Sequence, residues 1–290
     1  MSCVMVADDS EADDQRLHPY VAARGPSKTG GHMNAVVTAV VSIVTSGVVA
    51  FLTVMFSGRQ QRRAADRAER DQLNARYLNP LRWQAAEVHY RLAFIGAAVE
   101  RTGSYAPALA VEQPSQVQGK DPAWFNGHGC ALLSATYLIA GLFAQLKRVR
   151  DDFPYLRLAG DDDTQLAALI VRVQLAFLRD GGVYYAVQPS IGDDVLCDQG
   201  NRVRTYREFC ELLMDPERRV WLDILIHFTL ETAQGRKQQR LHDVLDAVRD
   251  LSDFLDRSLA GGQSLRARWA AEGARMDARE LPRGTVPPMR

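Results

Sequence analysis

From Ala35 to Phe56 the chain runs for 22 residues without a charged side chain, mostly Val, Ala, Ile, Leu and Phe. As an α-helix rising about 1.5 Å per residue, this run is roughly 33 Å long, enough for a bilayer hydrocarbon core of about 30 Å. Its apolar residues lie on every side instead of forming one stripe, so it must be surrounded by protein or by lipid. Arg59, Arg62, Arg63, Arg67 and Arg70 follow at once, which fits a helix leaving a membrane better than one inside a core. A secretory signal fits poorly. The apolar region exceeds about 15 residues and no small-residue cleavage site stands before the arginines. The reading is a transmembrane helix over residues 33–57, with Ala35 and Phe56 as the anchor limits.

Basic residues set its direction. Arg24 and Lys28 precede the run and five arginines follow it, so the positive-inside bias predicts the N-terminus outside and the C-terminal domain in the cytoplasm. The membrane expected is a bacterial inner membrane. Arginine greatly outnumbers lysine and alanine is abundant, which points to a GC-rich bacterial genome. Residues 1–32, rich in Asp, Gly, Ser and Pro, read as a disordered segment, and Met33 is a second candidate start. Ala39, Ser42, Ser46 and Ala50 share one face of the span, the pattern through which two copies would form a homodimer. Arg59, Arg62 and Arg63 would lie at headgroup depth and contact anionic lipid, at about 1 kcal/mol each. Residues 58–79, free of Gly after position 58 and of Pro, read as a charged juxtamembrane helix that Pro80 ends.

Beyond the span about 230 residues remain, enough for one domain with its own core. Leu81, Ala85, Val88, Leu92, Ile95 and Val99 step by four and three, a continuous helical stripe. Residues 101–129, with four glycines and three prolines, read as a long loop that either covers something or moves. The apolar run from Asn126 to Leu146 reads as a central core helix, because His128, Ser134, Thr136, Tyr137 and Gln145 dilute it. A second span is the alternative. Asp161, Asp162 and Asp163 mark a helix start, where carboxylates favour the positive end of the dipole. Leu166, Ile170, Val173 and Phe177 then share a face. Tyr206, Phe209 and Leu213 predict a short helix; Val220, Trp221, Ile224, Leu225 and Phe228 a longer one; and Leu241, Val244, Leu245, Val248, Leu251 and Leu255 the last strong one. Strand alternation is confined to "GGVYYAVQP". The expected fold is therefore all-α: a helical bundle of about five or six helices over residues 80–260, with residues 261–290 a charged, partly disordered tail.

Chemistry is harder to find. With 35 basic and 35 acidic residues the chain has no global basic field, and nucleic acid is not an expected partner. Cys3, Cys130, Cys197 and Cys210 show no metal-type spacing, and in a cytoplasmic domain they would be reduced, so no zinc site is expected. Glu87 and His89 are two apart and point to different faces. Asp223 with His227, and His242 with Asp246, are each four apart and could share a ligand, though a hydrogen-bonded histidine is the commoner reason for such spacing. No catalytic, phosphate-loop or dinucleotide motif occurs, and no cofactor is implied. "VYYAVQPSIGDDVLCDQG" places Gln188, Asp193 and Asp194 in a predicted loop between helices, which makes them the candidate ligand-binding residues.

"RYLNPLRWQAAEVHYRL" resembles the Y-x-x-P-L-x-x-A-A-x-x-L-x-x-R opening of a family of uncharacterised bacterial all-helical proteins, many with one N-terminal span. Tyr77 to Leu92, Ala131 to Leu146, Gln188 to Asp194 and "LSDFLD" at Leu251–Asp256 correspond to that family's successive pieces. Pro189 and Ser190 replace an Arg-Ala pair after the glutamine. The resemblance implies fold and anchoring, and no activity. Together these readings predict a single-pass membrane protein whose cytoplasmic domain is an interaction or scaffold module for an unknown protein partner. The alternative is a membrane-tethered enzyme or small-ligand sensor with its site near the 101–129 and 188–194 loops.

Overall fold

A computed structural model describes residues 55–57, 59–65, 67–152, 161–197, 202–260 and 263–280. The chain divides into two units, residues 1–62 and 63–290. In the first, the described residues are helical and exposed, Arg59 and Arg62 among them. Apart from Met55, Phe56 and Ser57, the expected anchor over residues 33–57 lies outside the described residues, as does the segment 1–32.

The second unit is all-α. Its helices are α1 (Asn79–Thr102), α2 (Pro122–Asn126), α3 (Cys130–Asp152), α4 (Asp162–Leu178), α5 (Val187–Asp194), α6 (Tyr206–Met214), α7 (Pro216–Ala233), α8 (Gln238–Ala260) and α9 (Leu265–Glu280). Among the described residues the only ladder is two residues long, Leu196–Cys197 against Arg202–Val203. The alternation noted in "GGVYYAVQP" forms no strand; the stretch runs from the end of a 3-10 turn, Arg179–Gly181, into α5.

Pro80 does not end the juxtamembrane helix. Residues 67–73 are helical, Asn74–Leu78 form a π-turn, and Leu73, Leu78 and Asn79 all keep right-handed helical angles, so the helix passes straight into α1. The wider turn absorbs the proline, which has no N–H to offer the carbonyl of Arg76 four residues earlier. Arg148 of α3 donates to that carbonyl instead, at 3.4 Å. Its guanidinium and that of Arg76 both lie over the buried Tyr77 ring, at 5.5 and 5.1 Å.

α3 sits at the centre, with α1, α5 and α7 packed around it. From Ile139 to Leu146 every residue is buried, so no side of the helix meets water for two turns. It is the one helix among the described residues long and apolar enough to cross a membrane, and 67% of its most apolar stretch is covered by the bundle. Two glycines permit this closeness. A Cβ on Gly141 would meet the Gln84 side chain at 2.9 Å, and one on Gly192 would meet the backbone of Phe143 at 2.9 Å. Phe143, Phe177 and Phe228 then link α3, α4 and α7 through ring contacts at 5.0 and 5.3 Å. The Thr136 and Thr229 hydroxyls meet at 3.2 Å between α3 and α7.

Two expectations shift at the edges of the bundle. Val220 and Trp221 are 55% and 63% exposed; the core face of α7 is Leu222, Leu225, Ile226, Phe228 and Thr229. The charged tail contains α9, whose Leu265 is buried and whose Trp269 lies 5.3 Å from Trp83. Arg82 joins the same corner, donating to Asp256 at 2.6 Å and to the Gln263 carbonyl at 2.8 Å.

Two outcomes are expected. Gly192→Ala should destabilise the bundle by about 1–3 kcal/mol in denaturant melts, because the new Cβ meets backbone that cannot step aside; Ser190→Ala on the exposed side of α5 should change little. The second concerns His89, whose imidazole pKa burial, then Arg266 and Arg249, push down to about 4. Between its ordinary value near 6.5 and about 4, the unfolded chain binds the proton and the folded chain does not, so stability is lost as pH falls through that window. A pH series of melts should show this loss, and His89→Gln should flatten it.

Candidate functional site

The residues expected to form a ligand site in a loop lie on a helix. Val187–Asp194 is α5, and the two residues that read as loop signals each have a helical place. Pro189 occupies the first turn, where backbone N–H groups have no intrahelical partner, and Gly192 makes the close approach to α3. Gln188 is 1% exposed and donates through Nε2 to the carbonyls of Gln174 and Val183, both at 2.8 Å. It ties the 179–183 turn to α4 and does not face solvent. Asp193 points outward and pairs with Lys147 of α3 at 3.0 Å. Asp194 is half-buried; desolvation, and then the neighbouring Asp193 charge, raise its carboxyl above the usual range. Gln188 and the two aspartates therefore do not converge on one surface.

The 101–129 segment is built of short turns. After α1 ends at the left-handed Gly103, Tyr105 N–H bonds to the Ala233 carbonyl at 2.7 Å. Ala106–Ala108 and Pro114–Val117 form 3-10 turns, and Asp121 caps α2 by accepting from Trp124 N–H at 2.7 Å. Ala108, Val111, Val117 and Phe125 are buried, so the segment is a strap over the bundle. Arg219 of α7 clamps it. Its Nη1 donates to the Pro114 carbonyl at 3.2 Å and to Asp223 at 2.8 Å.

Between strap and α7 lies an open, polar cleft of about 820 Å³, lined by Glu112, Gln113, Pro114, Ser115, Asp223, His227, Gln234 and Arg236. Asp223 and His227, one of the pairs noted from spacing, thus share a wall. Burial raises the Asp223 carboxyl and Arg219 opposes that shift. His227 Nε2 is 3.7 Å from Glu231, whose other oxygen accepts from the buried Arg240 at 2.7 Å. Among the described residues, the Glu112 carboxylate and the Arg236 guanidinium have no protein partner. The other spaced pair separates: His242 lies 3.8 Å from Glu100, and Asp246 pairs with Arg249 at 2.7 Å. The spacing of 223 and 227 was visible in the sequence. Glu112 and Arg236 carried no signal, because their place depends on how the strap lies.

A second, more apolar cavity of about 320 Å³ opens beside α2 and α6, lined by Pro122, Phe125, Asn126, Tyr206, Arg207, Cys210, Glu211 and Met214. α6 begins with a capping box: Thr205 accepts from Glu208 N–H, and the Glu208 carboxylate accepts back from Thr205 N–H. Arg202 grips that carboxylate with both nitrogens, at 2.7 and 2.8 Å, and holds its pKa well below the usual range. The cap presents Tyr206, whose hydroxyl donates to the Phe125 carbonyl at 2.9 Å.

Removing the clamp should free the strap. Arg219→Ala is expected to raise amide hydrogen exchange of residues 112–118 at least ~10-fold, since their local opening would lose a charge-assisted tether of about 1.5 kcal/mol or more. Exchange in α3 should be unchanged. Equal protection in the variant would show that apolar burial alone holds the strap.

No protein-family model matches the chain, and comparison with curated proteins and with solved structures finds no match, so a functional reading rests on the geometry of these sites.

Proposed function

We propose that the chain is a single-pass membrane protein whose helical domain recognises a partner through the cleft between the strap and α7. The observation that carries this reading is the cleft itself: a polar concavity bordered by Glu112 and Arg236, two opposite charges with no protein partner among the described residues. Groups that hold a fold together are paired; charges left free beside a concavity are available to something else. In this reading Ala35–Phe56 crosses the inner membrane of a bacterium, the arginines from Arg59 onward remain in the cytoplasm, and the helix running from residue 67 into α1 joins the domain to its anchor. The small residues Ala39, Ser42, Ser46 and Ala50 pair two copies in the membrane, and Arg59, Arg62 and Arg63 meet anionic lipid.

One observation favours a second reading, a membrane-tethered enzyme or small-ligand sensor. Asp223, whose carboxyl burial raises, stands one helical turn from His227 on the same cleft wall. Such a pair can exchange a proton with a bound molecule.

Two measurements separate the readings. With an export-dependent phosphatase or a fluorescent protein fused after Arg290, fluorescence without phosphatase activity is expected; phosphatase activity would overturn the orientation. A photo-crosslinking residue at Ser115 should then capture a protein partner that one at Arg172, on the exposed face of α4, does not. A small molecule retained in the cleft, in place of a protein adduct, would favour the sensor.

A further inference from the structure

α1 buries one stripe and shows another. Leu81, Ala85, Val88, Leu92, Ile95 and Val99 face the bundle, whereas Trp83, Tyr90 and Phe94, on the outer side, are 49%, 45% and 45% exposed. Glu87, half-buried, and Ala97, exposed, belong to the same outer line. The steps from 83 to 87, 90, 94 and 97 are four, three, four and three, the spacing of a coiled-coil seam. Trp83, Tyr90 and Ala97 take one set of its core positions, Glu87 and Phe94 the other. Ring contacts within the chain hold both ends. Trp83 lies 5.3 Å from Trp269 of α9, and Phe94 meets Tyr105 edge-on at 5.6 Å. The seam is thus a formed aromatic surface about 21 Å long.

Glu87 decides what fits it. Its carboxylate has no protein partner among the described residues. Arg91, one turn on, is the cation that helical spacing would pair with it. That guanidinium turns instead to the Ala131 carbonyl at 2.7 Å and lies 5.5 Å from the Tyr105 ring. Left without a counter-charge, the Glu87 carboxyl is raised above its usual range by desolvation. A single charged position in an apolar seam selects the partner: a cation opposite is matched, another carboxylate is repelled, and an aliphatic side chain leaves the charge covered and unpaired. A second copy lying parallel and in register would set one Glu87 against the other, so that pairing is disfavoured. A cation at this level would also meet the Trp83 and Tyr90 rings, one turn to either side, whose faces attract it.

We propose that the outer face of α1 docks an amphipathic helix of another protein, one that sets a lysine or arginine against Glu87 and apolar side chains against Trp83, Tyr90 and Phe94. Rings already held in place lose little freedom on binding and exclude water from the ion pair they surround. None of these residues lines the polar cleft, and the inference does not rest on how that cleft functions.

The test uses the full chain in neutral-lipid nanodiscs and two fluorescently labelled helical peptides with the same leucine seam, which differ only in a central lysine or glutamate. Fluorescence anisotropy should show the lysine peptide bound at least ~10-fold more tightly, because like charges brought together at an interface are strongly disfavoured. Glu87→Lys should reverse the preference, a result that loss of folding cannot produce. Tyr90→Ala and Phe94→Ala should each weaken the lysine peptide at least ~10-fold. Trp221→Ala, at an exposed apolar site on α7, should leave it unchanged. Equal binding of the two peptides, or a preference that Glu87→Lys leaves in place, would overturn the charge match. An equal loss from Trp221→Ala would show unspecific apolar adhesion in place of a docking face. Failure of both peptides to bind would also overturn the proposal, as would Tyr90→Cys chains that join one another in a disulfide and so give the face to a second copy.

Discussion

A helix that is apolar on every side has to be enclosed, and α3 is such a helix. Over Ile139–Leu146 it has no polar face to turn toward water, and each large aliphatic or aromatic side chain removed from water there contributes about 1.5–3 kcal/mol. Three helices are too few to close around it without help at its ends. The strap and α2 cover the N-terminal end, and the π-turn with Tyr77 and Arg148 closes the other. The cleft arises from this enclosure, since it opens beside the strap.

The polar groups drawn into the core keep the packing specific. Gln84 donates to the Leu138 carbonyl at 2.8 Å and Arg91 to that of Ala131 at 2.7 Å, so two positions on α1 set its register along α3. Gln188 does the same for α5 against α4. Arg240, 1% exposed, is held by Glu231 and by the Phe228 ring at 4.6 Å. Isolated buried charges are costly, whereas a paired one fixes where its helix sits. Arg219 differs in reaching from α7 to a carbonyl of the surface strap, that of Pro114, as well as to Asp223 on its own helix.

Much of the fold was legible in local pattern. The α1 stripe through Leu81, Ala85, Val88, Leu92, Ile95 and Val99 is buried as the period predicts, and so is the α8 stripe through Leu241, Val244, Val248, Leu251 and Leu255, with Leu245 partly buried at its edge. The helix start marked by Asp161, Asp162 and Asp163 was equally readable: α4 begins there, with Asp162 and Asp163 in its first turn. Pro80, Pro189 and Gly192 misled for a common reason. Each is a breaker in isolation, but a π-turn, a first helical turn and a close helix contact give each a place. Val220 and Trp221 misled in the opposite way, as apolar residues that the neighbouring elements leave uncovered.

The sequence by itself determined that the chain is helical, where most helices run, and that one charge-free segment needs lipid or protein around it, because periodicity, caps and charge act over a few residues. Tertiary structure alone decided that Gln188 is a buried brace and that Glu112 and Arg236 border one cleft. Gln188 reaches carbonyls 5 and 14 positions away on other elements, and Glu112 and Arg236 stand 124 positions apart on the chain; how the strap and the other helices lie against α3 brings them together, and no local pattern encodes that.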